Sequence, residues 1–122
     1  MITMIVFVTR KAGLSHDEFS KYWIEVHGPL VKSVPEFMKY VRKYVQHHRA
    51  PGGLEGGATF GDVSGYDGVG EIWFDDRASM KAAFDEPQYM AIIRPDEENF
   101  FDASRCLSFI SIEHVLSDEG ID

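Results

Sequence analysis

An α+β fold of the ferredoxin-like, split βαβ type is predicted by three observations. The chain has four short apolar segments rich in β-branched residues, helical patterns after the first and third of them, and a length of 122 residues that suits one core. The order β-α-β-β-α-β gives a four-stranded antiparallel sheet with its helices on one face. With 44% of residues apolar and 26% charged, there is enough material to bury, which argues against disorder.

Residues 2–9 are apolar on both parities and read as a central strand buried on both faces. Ser15 and Glu18 form a Ser-x-x-Glu capping box, and Leu14 with Phe19 supplies a hydrophobic staple, so a helix starts here. At about 100° per residue, Phe19, Trp23, Val26 and Leu30 make one stripe with Tyr22 and His27 at its margins. Gly28-Pro29 is expected to end or kink that helix just past His27. Residues 37–48 alternate as a second strand, with Val41 and Val45 on one face and Tyr40, Arg42, Tyr44, Gln46 and His48 on the other.

A connection from Arg49 to Gly68 carries Pro51 and seven glycines, long enough to suggest a lid or a partner arm. Val69–Phe74 is again strand-like on both parities, and Asp75 or Asp76 caps a helix through Met80, Ala83 and Phe84. Pro87 and Pro95 divide the next stretch into short helical pieces, and Leu107–Val115 is the last strand. The reading gives one domain over residues 1–116, with the glycine-rich loop at 49–68 and an acidic tail at 117–122. Helices cover only one sheet face, yet strands one, three and four are apolar on both. A second copy is therefore expected to cover the other face, making a homodimer that pairs two sheets as an α+β barrel.

The net charge of −8 opposes a phosphate backbone, so nucleic acid is disfavoured. The charge is uneven: residues 1–49 carry eight basic and four acidic side chains, residues 50–122 four basic and sixteen acidic. That asymmetry favours docking one half, or one subunit, against another. Charged residues interrupt every apolar run before membrane-spanning length, and the start of the chain lacks signal-peptide features, so the expected partners exclude a membrane and the expected location is cytoplasmic. The single cysteine, Cys106, excludes an internal disulfide and any multi-cysteine metal site. His47 and His48 are adjacent on a strand, point to opposite faces and do not clamp one metal. Glu71, inside an otherwise apolar strand, is expected to pair with a basic residue of the first half.

Three stretches carry a family likeness: Tyr22-Trp23-x-x-x-His27-Gly28-Pro29-Leu30-Val31, the strand ending Tyr44-Val45-Gln46-His47-His48-Arg49, and Tyr66-Asp67-Gly68-Val69-Gly70-Glu71-Ile72-Trp73-Phe74-Asp75. Together they resemble the EthD family of dimeric α+β barrel proteins, from the first strand to about Val115. The glycine-rich loop looks longer than the usual family connection. The resemblance implies a pocket between sheet and helices, with Tyr22, His27 and Tyr40 at positions matching the polar residues of similar small lactone isomerases. It names no reaction, because the family also looks similar to polyketide dehydratases and decarboxylases.

The candidate catalytic residues are therefore His27, Tyr22 and Tyr40. An imidazole titrates near neutrality and can take and return a proton, although a histidine in a last helical turn also serves as a simple cap. The two phenols are candidates for polarising a carbonyl, or for plain aromatic packing. Trp23, Tyr44, His48 and Trp73 are the candidate substrate-binding wall, each also readable as core or loop-proximal polar residue. The first functional reading is an enzyme without cofactor or metal, of isomerase, lyase or cyclase type, moving protons on a small hydrophobic or aromatic lactone, enol or polyketide-like compound in a catabolic setting. The alternatives are a haem-dependent or redox-associated protein and a non-catalytic carrier.

Overall fold

The structure, a computed structural model, describes residues 1–52 and 65–120. The expected lid or partner arm falls mostly on residues 53–64 and so lies outside the described residues, as do residues 121–122 of the tail.

Strands β1 (Ile2–Val8), β2 (Val41–His48), β3 (Gly68–Phe74) and β4 (Leu107–Ser111) form one antiparallel sheet in the order β2-β3-β1-β4. This is the ferredoxin-like arrangement that the element order predicts. Met4, Val6 and Val8 of β1 face the helices, so by alternation Ile5 and Phe7 face away. The ladder also explains why β4 stops at Ser111 rather than at the expected Val115. Thr3 pairs with Ser111, and β1 has almost no residues left to pair beyond it. Ile112, Val115 and Leu116 are consequently exposed.

Strand β2 departs from simple alternation. Val41 pairs with Phe74 and Lys43 with Trp73, so Arg42 is an extra residue in a bulge. Val41 and Val45, expected on one face, are on opposite faces: Val41 packs on the helix-side core, whereas Tyr44, Gln46 and His48 keep the helix side after the bulge. The bulged Arg42 is exposed and makes a bidentate pair with Asp75 at 2.8 and 2.6 Å. That leaves Asp76 to cap α4 (Arg77–Asp85), its carboxylate accepting from Ser79 N at 2.7 Å.

Helix α1 (His16–Tyr22) starts at the predicted capping box, with Ser15 Oγ accepting from Glu18 N at 3.1 Å and Glu18 Oε1 from Ser15 N at 2.9 Å. It does not end past His27. A wider π turn over Trp23–His27 leads into α2 (Gly28–Lys32), and a further turn, α3 (Pro35–Met38), precedes β2. The second half repeats the device: a π turn over Tyr89–Ile93 leads into α5 (Arg94–Glu97), followed by a 3₁₀ turn at Ala103–Arg105. In each half a proline is the second residue after the π turn. Proline offers no N–H and crowds the turn behind it, and a wider turn relieves both problems without ending the helix. The added residue per turn keeps positions four apart in line. The buried stripe is thus Phe19, Trp23, His27 and Val31, while Val26, expected on it, is 45% exposed.

Two clusters form the core. One gathers Val31, Val34, Phe37, Phe74, Ala83 and Ile93, the other Val8, Phe19, Trp23 and Phe100. At the sheet end Asp67, 1% exposed, accepts from Arg10 N and Nη1 and contacts His16 Nδ1, at 2.8, 2.8 and 2.9 Å, which ties β1 and the start of α1 to the strand that follows the loop. On the sheet face away from the helices, Phe109 and Leu107 are more than half exposed beside the partly buried Ile5, Phe7 and Val69. Glu71 there contacts His47 at 2.9 Å. No helix among the described residues is long and apolar enough to cross a membrane.

Candidate active site

Between the sheet and the helices lies a cavity of about 310 Å³, bordered by members of both core clusters. Its sheet-side wall includes Met4, Val6, Val8, Tyr44, Gly70 and Ile72, and its helix-side wall includes Trp23, His27, Val31, Tyr89, Ile93 and Glu97. The size falls at the lower end of small-molecule sites, roughly 300–1,000 Å³. Glycines make room for the indole of Trp23. A Cβ on Gly68 would meet Trp23 Cζ3 at 2.7 Å, and one on Gly70 would touch Cζ2 at 3.5 Å.

His27 is 4% exposed, and its Nδ1 lies 2.8 Å from Asp96 Oδ2. The other carboxylate oxygen, Oδ1, accepts from the Tyr22 hydroxyl at 2.5 Å and from Asn99 Nδ2 at 3.1 Å. Burial pushes the Asp96 carboxyl up, but the bonds from Tyr22, His27 and Asn99 outweigh it and hold the group below the usual carboxylate range. An ionised Asp96 accepts a proton bond from Nδ1, so the neutral ring carries its proton there and presents an unprotonated Nε2. That nitrogen has no hydrogen bond among the described residues, and no unpartnered polar side-chain atom is sealed from solvent, so Nε2 opens to the cavity that His27 lines.

A second acid borders the cavity. Glu97 accepts from the Tyr89 hydroxyl at 3.1 Å and from Arg94 Nη1 at 3.1 Å. Burial pushes its carboxyl above the ordinary value despite the opposing pull of His27, Tyr89 and Arg94. Burial also raises Tyr89, helped by the neighbouring Glu97 charge. On the sheet side, Gln46 Nε2 donates to the Trp23 carbonyl at 3.0 Å and to the Tyr44 hydroxyl at 2.9 Å, and Gln46 Oε1 lies 2.8 Å from His48 Nε2. His48 Nδ1 is 2.8 Å from Ser20 Oγ.

Of the residues expected at the site, the structure brings Trp23, His27 and Tyr44 together around the cavity. Tyr22 stands behind it, its hydroxyl spent on Asp96, because the π turn rotates His27 rather than Tyr22 inward. Tyr40 precedes the bulge and packs on the first core cluster with Lys39 Nζ 5.1 Å from its ring centroid. His48 lies behind Trp23, ring centroids 4.7 Å apart. Trp73 is on the opposite sheet face, beneath Lys43 at 4.8 Å. Asp96, Glu97, Tyr89 and Arg94 were not among the expected site residues. A signal exists: Asp96 and Glu97 fall three and four residues after Ile93 and before Phe100, two acids on an apolar helical stripe. Among the described residues no cluster of three or more His, Cys, Asp or Glu side chains suits a metal ion.

A family model described as the EthD domain matches residues 11–104. The chain belongs to the EthD family. An EthD family protein from Bacillus halodurans superposes with a TM-score of 0.66 at 18% identity, covering 93% of this chain and 99% of that one. An EthD-like protein from Ralstonia eutropha gives 0.61 at 20% identity, with 98% and 95% covered. A dimeric protein of ferredoxin-like fold from Bacteroides fragilis gives 0.60 at 11% identity, with 90% and 93% covered. None of the curated proteins compared matches this EthD chain in sequence.

Titratable groups in and around the site make stability depend on pH in a definite sense. Burial, with His16 and His47 nearby, lowers His48 below its usual value. The unfolded chain protonates this group near pH 6.5, earlier than the folded protein does, so its contribution is complete above about pH 6.5 and is lost as the pH falls through the folded value. Asp96 and Asp67 are likewise held low, for Asp67 because bonds from His16 and Arg10 outweigh the upward push of burial. Their contributions are complete above about pH 4 and are lost below it. Glu97 runs the other way, since its raised carboxyl favours the folded state most below about pH 4.3 and less as the pH rises. Thermal midpoints measured from pH 8 to pH 3 are expected to fall in two stages, with His48→Gln flattening the upper one. An upper stage equally steep in His48→Gln contradicts the assignment.

Proposed function

We propose that this EthD protein is an enzyme that moves a proton on a small, largely apolar carbonyl compound, with His27 as the base. The observation that carries this reading is the His27–Asp96 contact of 2.8 Å at the wall of a largely apolar cavity, which leaves Nε2 to face a ligand. In the step, Nε2 takes a proton from a carbon next to a carbonyl, the C–H electron pair moves onto the oxygen as an enolate, and the imidazolium is held by the Asp96 carboxylate. Return of the proton to another carbon is an isomerisation, and loss of a leaving group from the enolate is a lyase step. Tyr22 and Asn99 keep Asp96 in place for both. A haem does not fit this site well: the cavity is small, and Arg94 is the only Lys or Arg among its described lining residues to meet two propionates. The test is deuterium uptake from D₂O into 2-indanone, a compact aromatic ketone with acidic α-protons, followed by NMR. Uptake well above buffer is expected. Uptake at the buffer rate refutes the reading.

The apolar sheet face supports a homodimer in which two sheets meet, in keeping with dimeric structures of the same fold. Ile5→Lys, which sets a charge at the centre of that face, is expected to convert the dimer to monomer in sedimentation at micromolar concentration. A wild-type monomer under the same conditions removes the dimer from consideration.

A further inference from the structure

The hydrogen bonds around Tyr44 carry a direction as well as a geometry. The backbone carbonyl of Trp23 is an acceptor only, so the Gln46 atom 3.0 Å from it is the amide nitrogen. The amide oxygen then faces His48 Nε2 at 2.8 Å, which must carry a proton to donate to it. The second amide hydrogen points at the Tyr44 oxygen, 2.9 Å away, and makes that oxygen an acceptor. The phenol's other hydrogen-bonding neighbour is the Trp23 indole, which is a donor only, while Glu97 acts on it through its charge without a hydrogen bond. Neither neighbour can take the Tyr44 proton, and among the described residues no other acceptor bonds to that hydroxyl. Tyr44 itself lines the cavity.

Gly28 belongs to the same arrangement. Its backbone is ordinary helix, with φ of −56°. A Cβ there would lie 3.1 Å from Gln46 Nε2 and 3.3 Å from the Trp23 oxygen, so the glycine after His27 is the space in which the amide sits.

We infer that Tyr44 is the hydrogen-bond donor for the substrate's carbonyl oxygen, strengthening its bond as the enolate forms, and that Gln46 is the positioning residue that turns the hydroxyl proton into the cavity. The inference rests on the proton-transfer reading above and deepens it. It assigns the polarising role expected of Tyr22 and Tyr40 to a different phenol, and it restricts the substrate to compounds whose oxygen can lie at Tyr44 while the adjacent carbon reaches His27. Burial keeps the Tyr44 hydroxyl protonated well above neutrality, as a donor must be.

The test uses 2-indanone labelled with ¹³C at the carbonyl, bound to the full-length protein. A hydrogen bond to the oxygen moves the carbonyl resonance downfield. Wild-type protein and His27→Ala are expected to give the displaced resonance, and Tyr44→Phe is expected to lose it. Gln46→Leu, with the phenol intact but its proton no longer directed, is expected to give a smaller displacement. Deuterium uptake is expected to fall about 10²-fold in Tyr44→Phe, as for loss of one preorganised donor. Equal carbonyl displacement in wild-type and Tyr44→Phe, or no binding of the ketone by the wild-type at millimolar concentration, overturns the inference. If deuterium uptake is at the buffer rate while the Tyr44-dependent displacement persists, the base reading fails and the donor assignment stands.

Discussion

Replacing His27 by alanine is expected to lower deuterium uptake into 2-indanone by about 10²- to 10⁴-fold, the range set by losing a positioned base. Binding should persist, because most of the cavity wall is apolar and remains in place. The sequence alone suggests a side chain at the margin of a stripe, whose loss would leave stability untouched. The structure buries the ring and bonds it to Asp96, so the variant also leaves Asp96 Oδ2 without its partner. A cost of about 1–3 kcal/mol follows for a buried acceptor left short. His27→Gln offers an amide donor in its place and should recover part of that stability without recovering uptake. Uptake within tenfold of wild-type in both variants, measured by NMR at saturating ketone, would remove His27 from the chemistry.

Asp96→Ala is expected to be the more destabilising change. The carboxylate joins three side chains from two separate parts of the chain: Tyr22 and His27 from the first helical segment, and Asn99 from the end of the second. Truncation leaves the buried His27 Nδ1 without its acceptor and releases the half-buried Tyr22 hydroxyl and the exposed Asn99 amide to water. A bond to a charged group is worth about 1.5–3 kcal/mol, and less where water replaces it, so the three together cost about 3–5 kcal/mol. For a chain of this size the thermal midpoint should drop by roughly 10–20 °C. Asp96→Asn keeps the shape and can still offer an oxygen to His27, so it should unfold closer to wild-type. It lacks the charge that holds an imidazolium, and its uptake rate should fall with the fold intact. Wild-type uptake in a well-folded Asp96→Asn would reduce the carboxylate to a structural anchor.

The difference between these two residues follows from how each enters the sequence. His27 stands in a stretch whose family likeness is legible, four residues after a buried tryptophan, and a histidine in an apolar helical stripe invites a functional reading. Asp96 stands 69 positions away among four acids in one short segment, Asp96, Glu97, Glu98 and Asp102. The apolar stripe from Ile93 to Phe100 marks Asp96 and Glu97 together as the inward pair, but nothing local says which of the two meets His27. Packing of one pseudo-repeat against the other makes that choice.

The sequence by itself determined the element order, the antiparallel sheet, the capping box at Ser15, the apolar character of both sheet faces and the family. Each rests on contacts within a few residues or on a period of the chain, which are visible without the third dimension. The tertiary structure decided which side chains meet. The π turns before Pro29 and Pro95 set His27 in line with Trp23 and Val31 and put Tyr22 behind the cavity, and the bulge at Arg42 separates the faces of Val41 and Val45. Each shifts the register by a single residue, and a shift that small turns a side chain from water to cavity while leaving the hydrophobic pattern nearly the same. Hydrogen-bond direction was decided later still, since the proton of Tyr44 points where it does only because the Trp23 carbonyl can do nothing but accept.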